Sequence, residues 1–241
     1  MKNLGQPIGL VAPAAARSWG YFFRGQWIQL LFLVAMLPAA AALSVPAVKD
    51  RHWLGLSNTD WFWVCVVAAI VHQAYVWLAW RSQLGWQAFT RVFGPNDFAA
   101  YCAVFFPLLA ARPLLIFVVA WVDRESLALP EWIAIVCGSL LLVPALATGY
   151  SIQRYSGWAR AAGADHFREA YRRMPLVKQG AFRWTDNAMY TLAFSGLWSI
   201  AFLLQSRLAL VAAIFQHGYI WAHYLATEKP DMNLLYSRND A

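Results

Sequence analysis

The chain reads as an all-α integral membrane protein, a polytopic bundle of about six helices whose last two form a hairpin, with both termini in the cytosol. Three observations predict this. Of 241 residues, 61% are hydrophobic and only 13% charged, which is far too apolar for an ordinary soluble domain. The apolar residues gather in runs at roughly 27–48, 60–80, 98–122, 131–152, 189–204 and 208–226, each a candidate span. Lys and Arg divide unequally between the connections: 14 of the 19 fall on one side and 4 on the other, with Arg112 alone inside a run. Cytoplasmic loops hold such an excess.

Residues 1–20 lack the basic, apolar and small-residue order of a cleaved signal peptide, so no processing is expected. The first run belongs to an N-terminal tail with an additional helix, 1–59, and the rest, 60–241, reads as one membrane-embedded domain. In the third run Arg112 stands between Pro107 and Pro113. A charge at bilayer depth costs about 2.5–3.5 kcal/mol on insertion scales, so it must face a protein partner or a polar cavity. Structural pairing, snorkelling and lipid-phosphate binding all meet that requirement. The fifth run is short for a hydrocarbon layer of about 30 Å, so it either leans on its hairpin partner or sits beneath the surface. The polar break Gln205-Ser206-Arg207 lets the chain reverse there.

The connection 154–183 is the longest polar one and belongs with the cytosolic loops. From Asp165 to Met174 it reads either as a solvated loop or as a short basic surface helix, with Phe167 and Tyr171 turned to the bilayer. Cys65, Cys102 and Cys137 all lie in apolar runs, without CxxC spacing or neighbouring histidines, so neither a disulfide framework nor a metal site is expected. The net charge of +7 comes from residues flanking the spans, where anionic lipid head groups account for it better than nucleic acid does.

Two polar stretches bracket the last two runs. The entry is Phe182-Arg183-Trp184-Thr185-Asp186-Asn187-Ala188-Met189-Tyr190 and the exit Thr227-Glu228-Lys229-Pro230-Asp231-Met232. A tight hairpin returns Glu228 to the membrane face of Asn187, and this meeting point is the candidate site. Asn187 is placed to cap a helix beginning near Ala188, which exposes N–H groups and a positive dipole end. His217, Trp221, Tyr224 and Glu228 step by four, three and four, so they share one helix face. Interhelical hydrogen bonding with an interfacial aromatic belt gives the same stripe. His223 falls off that face and reads as interfacial.

The landmarks Arg91-Val92-Phe93-Gly94 with Tyr101, Gly157-Trp158-Ala159, Asp165-His166-Phe167, Phe182 with Asp186-Asn187-Ala188-Met189-Tyr190, and Glu228-Lys229-Pro230 with Tyr236 resemble the phospholipid methyltransferases. The resemblance is closest to the phosphatidylethanolamine N-methyltransferases and covers roughly 60–236. Ala188 stands where the family has Pro, Arg160 interrupts its glycine-rich cofactor motif, and Lys229 replaces the second of two acidic residues. The resemblance implies S-adenosylmethionine as cofactor and phosphatidylethanolamine as substrate, methylated once or successively toward phosphatidylcholine. The isoprenylcysteine carboxyl methyltransferases, which carry Arg-His-Pro-x-Tyr at the entry, are the alternative, and a transporter or scaffold is the competing class.

Carried onto this sequence, the resemblance and the stripe make Gly157, Asn187, Met189, Tyr190, Trp221, Tyr224 and Glu228 the cofactor-binding candidates, and Arg112 and Arg183 the substrate-binding ones. A primary ammonium titrates roughly like a lysine near 10 and must lose a proton before its nitrogen attacks. Asp165, His166, His217 and Glu228 are the candidate acceptors. The sequence leaves the oligomeric state open. It favours a bacterial inner membrane, although the endoplasmic reticulum fits the same physics. The charge asymmetry predicts that a cysteine replacing Ser156 resists an impermeant thiol reagent applied from outside intact cells and labels after permeabilisation. Labelling in intact cells reverses the assigned topology.

Overall fold

The computed structural model describes residues 14–44 and 51–236. Lys2, Lys49 and Arg238, counted in the charge asymmetry, and the end of the first run lie outside the described residues. Within them the chain is a helical bundle: α1 (Gln26–Leu43), α2 (Asn58–Trp86), α3 (Asp97–Val122), α4 (Glu131–Ser151), α5 (Met189–Leu203), α6 (Arg207–His223) and α7 (Lys229–Tyr236). The only sheet among the described residues is a pair of two-residue strands, His52–Trp53 and Leu56–Ser57. Four helices, those containing α1 to α4, are long and apolar enough to cross a membrane, while α5 is a shorter apolar helix. The sixth run does not reach that apolarity, since Gln216, His217 and His223 interrupt it, and it continues through a π turn into α7.

Local chemistry sets the helix starts. Ser57 and Asp60 form a capping box at the head of α2, each side chain accepting the other's backbone N–H at 3.1 and 2.9 Å. Ser206 caps α6 by accepting from Ala209 N at 3.0 Å. The reversal before it turns on Gln205 at φ 50, and Ser206 N donates back to Ala201 O at 2.9 Å, which makes the expected hairpin of α5 and α6.

The core sits around α6, where Ala209, Ala212 and Ala213 are wholly buried against Phe62, Ala69, Ile116 and Ala201. Small side chains let helix backbones approach where no hydrophobic effect drives association. The same device joins α4 to α5: Ser199 and Ser195 donate to the carbonyls of Gly138 and Leu141, both at 2.7 Å. At one end of the bundle Asp123 gathers three elements. It accepts from Asn58 Nδ2 at 3.1 Å, Ser126 Oγ at 2.5 Å, Ser206 Oγ at 2.9 Å and Leu208 N at 3.0 Å.

Several sequence expectations change at the other end. Arg81, counted as a loop cation, lies inside α2, which runs on to Trp86, and its side chain is buried. The stretch 165–174 is no surface helix: it is a 3₁₀ turn, Ala164–His166, followed by a single α turn, Glu169–Arg172. Phe167 turns away from the bilayer into a cluster with Phe98, Tyr101 and Phe89. An ion pair explains the inward turn, because Arg168 reaches the buried Asp97 at 2.5 Å and pins the loop to the head of α3. His223 is buried as well, not interfacial. Asp123→Ala strands several buried donors, and it is expected to cost about 1.5–3 kcal/mol, measured as a lower thermal midpoint in detergent, with ligand binding at the opposite end unchanged.

Candidate active site

Three π turns, Ile152–Ser156, Met189–Ala193 and Tyr224–Glu228, all lie near the same end of the bundle. Such turns are rare and concentrate at functional sites, because the wider turn re-aims side chains that a regular helix would point elsewhere. Here they bring two distant segments together. The phenol of Tyr190 donates to the carboxylate of Glu228. Trp221 and Tyr224 pack around the Tyr190 ring at 6.1 and 5.8 Å between centroids. The meeting of entry and exit expected from the hairpin is therefore present in the fold.

Asn187 opens α5 through its carbonyl, which accepts from Tyr190 N at 3.0 Å and Thr191 N at 2.9 Å. Its backbone N–H donates to Thr185 Oγ1 at 3.3 Å. Ala188 is the first helical residue and fully buried. That is the position where a proline is at home, so alanine there loses no hydrogen bond and keeps the same turn. Met189 follows on the cavity wall.

The loop 157–166 forms the third side. Gly157 ends a π turn at φ 78, where a Cβ would meet nothing within 4 Å. Gly163 is required for packing: at φ 80, a Cβ would come within 2.4 Å of the Trp80 ring. That contact sets the next residues, and the His166 ring stacks on Trp80 at 4.0 Å.

Asp165 and His166 belong to a buried chain of charges. His166 Nδ1 lies 2.9 Å from Asp165, and its Nε2 faces Asp231 at 3.4 Å. Asp231 pairs with Arg81 at 2.8 Å and accepts from Tyr21 Oη at 2.7 Å, while Tyr236 Oη donates to Asp165 at 3.0 Å. Burial by itself lowers an imidazole, but Asp165 and Asp231 outweigh it and raise His166 to about 9. Burial raises Asp165, yet the His166 charge and the bonds from His166 and Tyr236 hold it below the ordinary carboxylate range. His166 is thus an imidazolium at neutral pH, without a lone pair to take up a proton. Glu228, beyond the end of α6, behaves oppositely: burial pushes it up to about 7, against the Tyr190 hydrogen bond.

The remaining candidates separate. His217 continues the stripe deeper along α6, where its Nδ1 accepts from Trp198 Nε1 at 3.0 Å. Arg183 is exposed on the turn Gly180–Arg183, whereas Arg112 is buried, donating from Nε to Gln216 Oε1 at 2.8 Å. The fold does not bring those two arginines together. A cavity of about 880 Å³ lies between α2, α3, α4, α5 and α6, with Tyr190, Arg112, Trp80, His72 and His223 on its wall. Arg81 and Asp231 were not candidates from the sequence, where one reads as a loop cation and the other as an acidic residue beside Pro230. A charged residue continuing an apolar helix pattern was the one available signal for Arg81.

An all-α bundle with four helices long and apolar enough to cross a membrane defines an integral membrane protein, with a cavity among its helices and ionisable groups at one end. The family model described as phospholipid methyltransferase matches residues 133–239, from within α4 to the end of α7 and just beyond, so this part of the chain is similar to that family. Searches of curated proteins and of solved structures gave no match. The landmarks Arg91-Val92-Phe93-Gly94 and Tyr101 lie before the matched part. The family implies a methyltransferase acting on a phospholipid.

Removing the charge of Asp231 tests the network. Asp231→Asn leaves Arg81 buried without its counter-charge and is expected to cost about 3–5 kcal/mol, seen as a lower thermal midpoint. Lys229→Ala, at an exposed neighbour, is expected to leave the midpoint unchanged.

Proposed function

We propose that the protein is an S-adenosylmethionine-dependent N-methyltransferase that methylates the amino head group of phosphatidylethanolamine, and its mono- and dimethyl derivatives, toward phosphatidylcholine. The observation that supports this reading is the Tyr190–Glu228 bond: it joins a carboxylate, with the rings of Trp221 and Tyr224 around it, to Tyr190, which lines a cavity large enough for a small-molecule ligand. The charge asymmetry assigns that end to the cytosol, where a soluble cofactor enters, and a bacterial inner membrane is the favoured location.

The residues present fit the cofactor. The amide of Asn187 is of a type that offers polar contacts, Gly157 leaves room for close approach, and the faces of Tyr190, Trp221 and Tyr224 favour a cation. When bound, S-adenosylmethionine supplies an activated methyl group on a sulfonium, so the protein chiefly aligns donor and acceptor.

The chain's second task is to remove a proton from the lipid ammonium. An ordinary amine near 10 is about three pH units above neutrality, a cost of about 4 kcal/mol that burial of the ammonium reduces. Of the four candidates, His166 is cationic, Asp165 is occupied by His166 and Tyr236, and His217 is held by Trp198. Glu228 remains, and a carboxylate raised to about 7 is a better match for an amine than an ordinary one. Because its pKa is raised, Glu228 is protonated and inactive below that value, and it becomes an acceptor as pH rises through it.

The test is the transfer of labelled methyl groups from S-adenosylmethionine to defined lipids by purified protein. The pH profile of kcat/KM is expected to climb through a limb near 7 in the wild type. Glu228→Gln should lose that limb and fall roughly 10- to 150-fold, the worth of a charge-assisted hydrogen bond of about 1.5–3 kcal/mol. Lys229→Ala should change little, since that side chain is exposed. Equal and small effects of the two substitutions leave Glu228 as a structural partner of Tyr190 and remove its catalytic role.

A further inference from the structure

Among the described residues Arg112 has no counter-charge. Its side chain is 3% exposed, and its partners are neutral: the side chain and carbonyl of Gln216 at 2.8 and 3.3 Å, and the face of Phe194 at 4.8 Å. A buried charge without a counter-charge is costly, so a group of opposite sign is expected to meet it. On the same cavity wall stand His72 of α2 and His223 of α6, which are 3% and 1% exposed. Neither ring nitrogen of either histidine has a hydrogen-bond partner among the described residues. Among the described residues no Asp or Glu lines the cavity. Three side chains able to donate therefore face a space whose remaining wall is almost wholly apolar.

The position of this cluster narrows its ligand. Phe194, under Arg112, is one turn along α5 from Tyr190, and His223 immediately precedes the π turn that carries Glu228. The donors thus lie about one helical turn, ~5 Å, deeper than the Tyr190–Glu228 bond. At about the same depth as Arg112, Ala110, Pro113 and Leu142 line the cavity and are also exposed on the apolar outer face, so it opens sideways between α3 and α4. Tyr190, which holds Glu228, stands on the wall toward the polar end, and the donors for an anion stand beside the apolar surface that leads out to the bilayer.

We propose that His72, His223 and Arg112 form a subsite for the phosphodiester of the acceptor lipid, and that the two histidines make the site selective for amines carried on a phosphodiester. The identity of the lipid rests on the function proposed above. A phosphodiester has acceptor oxygens and no hydrogens to donate, which suits a wall of donors, and two carbons separate it from the amine of an ethanolamine head group. The carboxylate of the cofactor and free phosphate share this chemistry, but neither calls for the sideways apolar opening.

The test compares phosphatidylethanolamine with a diacyl amine lipid in which a neutral ether linker replaces the phosphodiester. The wild type is expected to prefer the former. His72→Phe and His223→Phe, which keep a ring and remove the donors, should raise KM for phosphatidylethanolamine about tenfold or more and leave the neutral analogue unaffected. His→Gln at the same positions should restore part of the preference. Equal loss on both acceptors, or an unchanged preference, overturns the proposal.

A second arm needs no turnover. Native mass spectrometry is expected to show the wild type retaining phosphatidylglycerol over diacylglycerol, and the double Phe variant retaining neither preferentially. Selective retention without methyl transfer to any acceptor supports this subsite while removing the catalytic reading. If calorimetry shows that the Phe variants lose S-adenosylmethionine affinity while lipid retention holds, the anion is the cofactor's. Saturable binding of inorganic phosphate that the variants abolish, with lipid retention intact, assigns the donors to a free ion. Either result overturns the proposal.

Discussion

Arg81 and Asp231 have no access to solvent, and the elements that shape the polar end of the bundle meet at their ion pair. Arg81 also donates to the carbonyls of Tyr21, Ala226 and Thr227, so it holds the N-terminal segment and the π turn ahead of Glu228 at once. Gln26 of α1 adds bonds to Ala226 O at 3.4 Å and Thr227 Oγ1 at 3.1 Å. Taking two charges out of water costs several kcal/mol per ion, and good geometry with additional hydrogen bonds is what offsets it. Those additional bonds are the ones that fix the turn. From Asp231 the chain of charges passes through His166 to Asp165 and Tyr236, so the loop after α4 and the last helix are set by the same pair.

The two ends of the bundle use carboxylates differently. Asp123 is fully served by hydroxyls and amide donors and acts as a clasp. Glu228 has one strong partner, Tyr190, and lies where burial penalises its charge. A carboxylate with all its lone pairs served is a structural element. One raised toward neutrality with bonding capacity left over is a candidate for chemistry. The same contrast divides Asp165 from Glu228, although both looked like acceptors when judged by residue type.

The histidines show how far sequence reading reaches. His217 lies on the stripe with Trp221, Tyr224 and Glu228, and spacing found it, but its bond to Trp198 spends one of its nitrogens. His223 breaks that spacing and reads as interfacial from the sequence. In the fold it is among the most buried residues, because the face of α6 opposite the stripe is turned toward α2 and the cavity rather than toward lipid. Periodicity finds faces on a helix. It does not say what each face meets.

The sequence by itself determined the all-α membrane architecture, the hairpin of α5 and α6, and the return of Glu228 to the end of the bundle where Asn187 lies. Apolar run length, a polar break and residue spacing are local quantities, and each follows from helix geometry alone. Only the tertiary structure decided that Arg81 is buried rather than solvated, that Phe167 points into the protein, and that His72, His223 and Arg112 share one cavity. These depend on contacts between residues up to about 150 positions apart, such as Arg81 with Asp231, 150 apart in sequence. Whether a charge is exposed is a property of what packs over it, and no window along the chain contains that information.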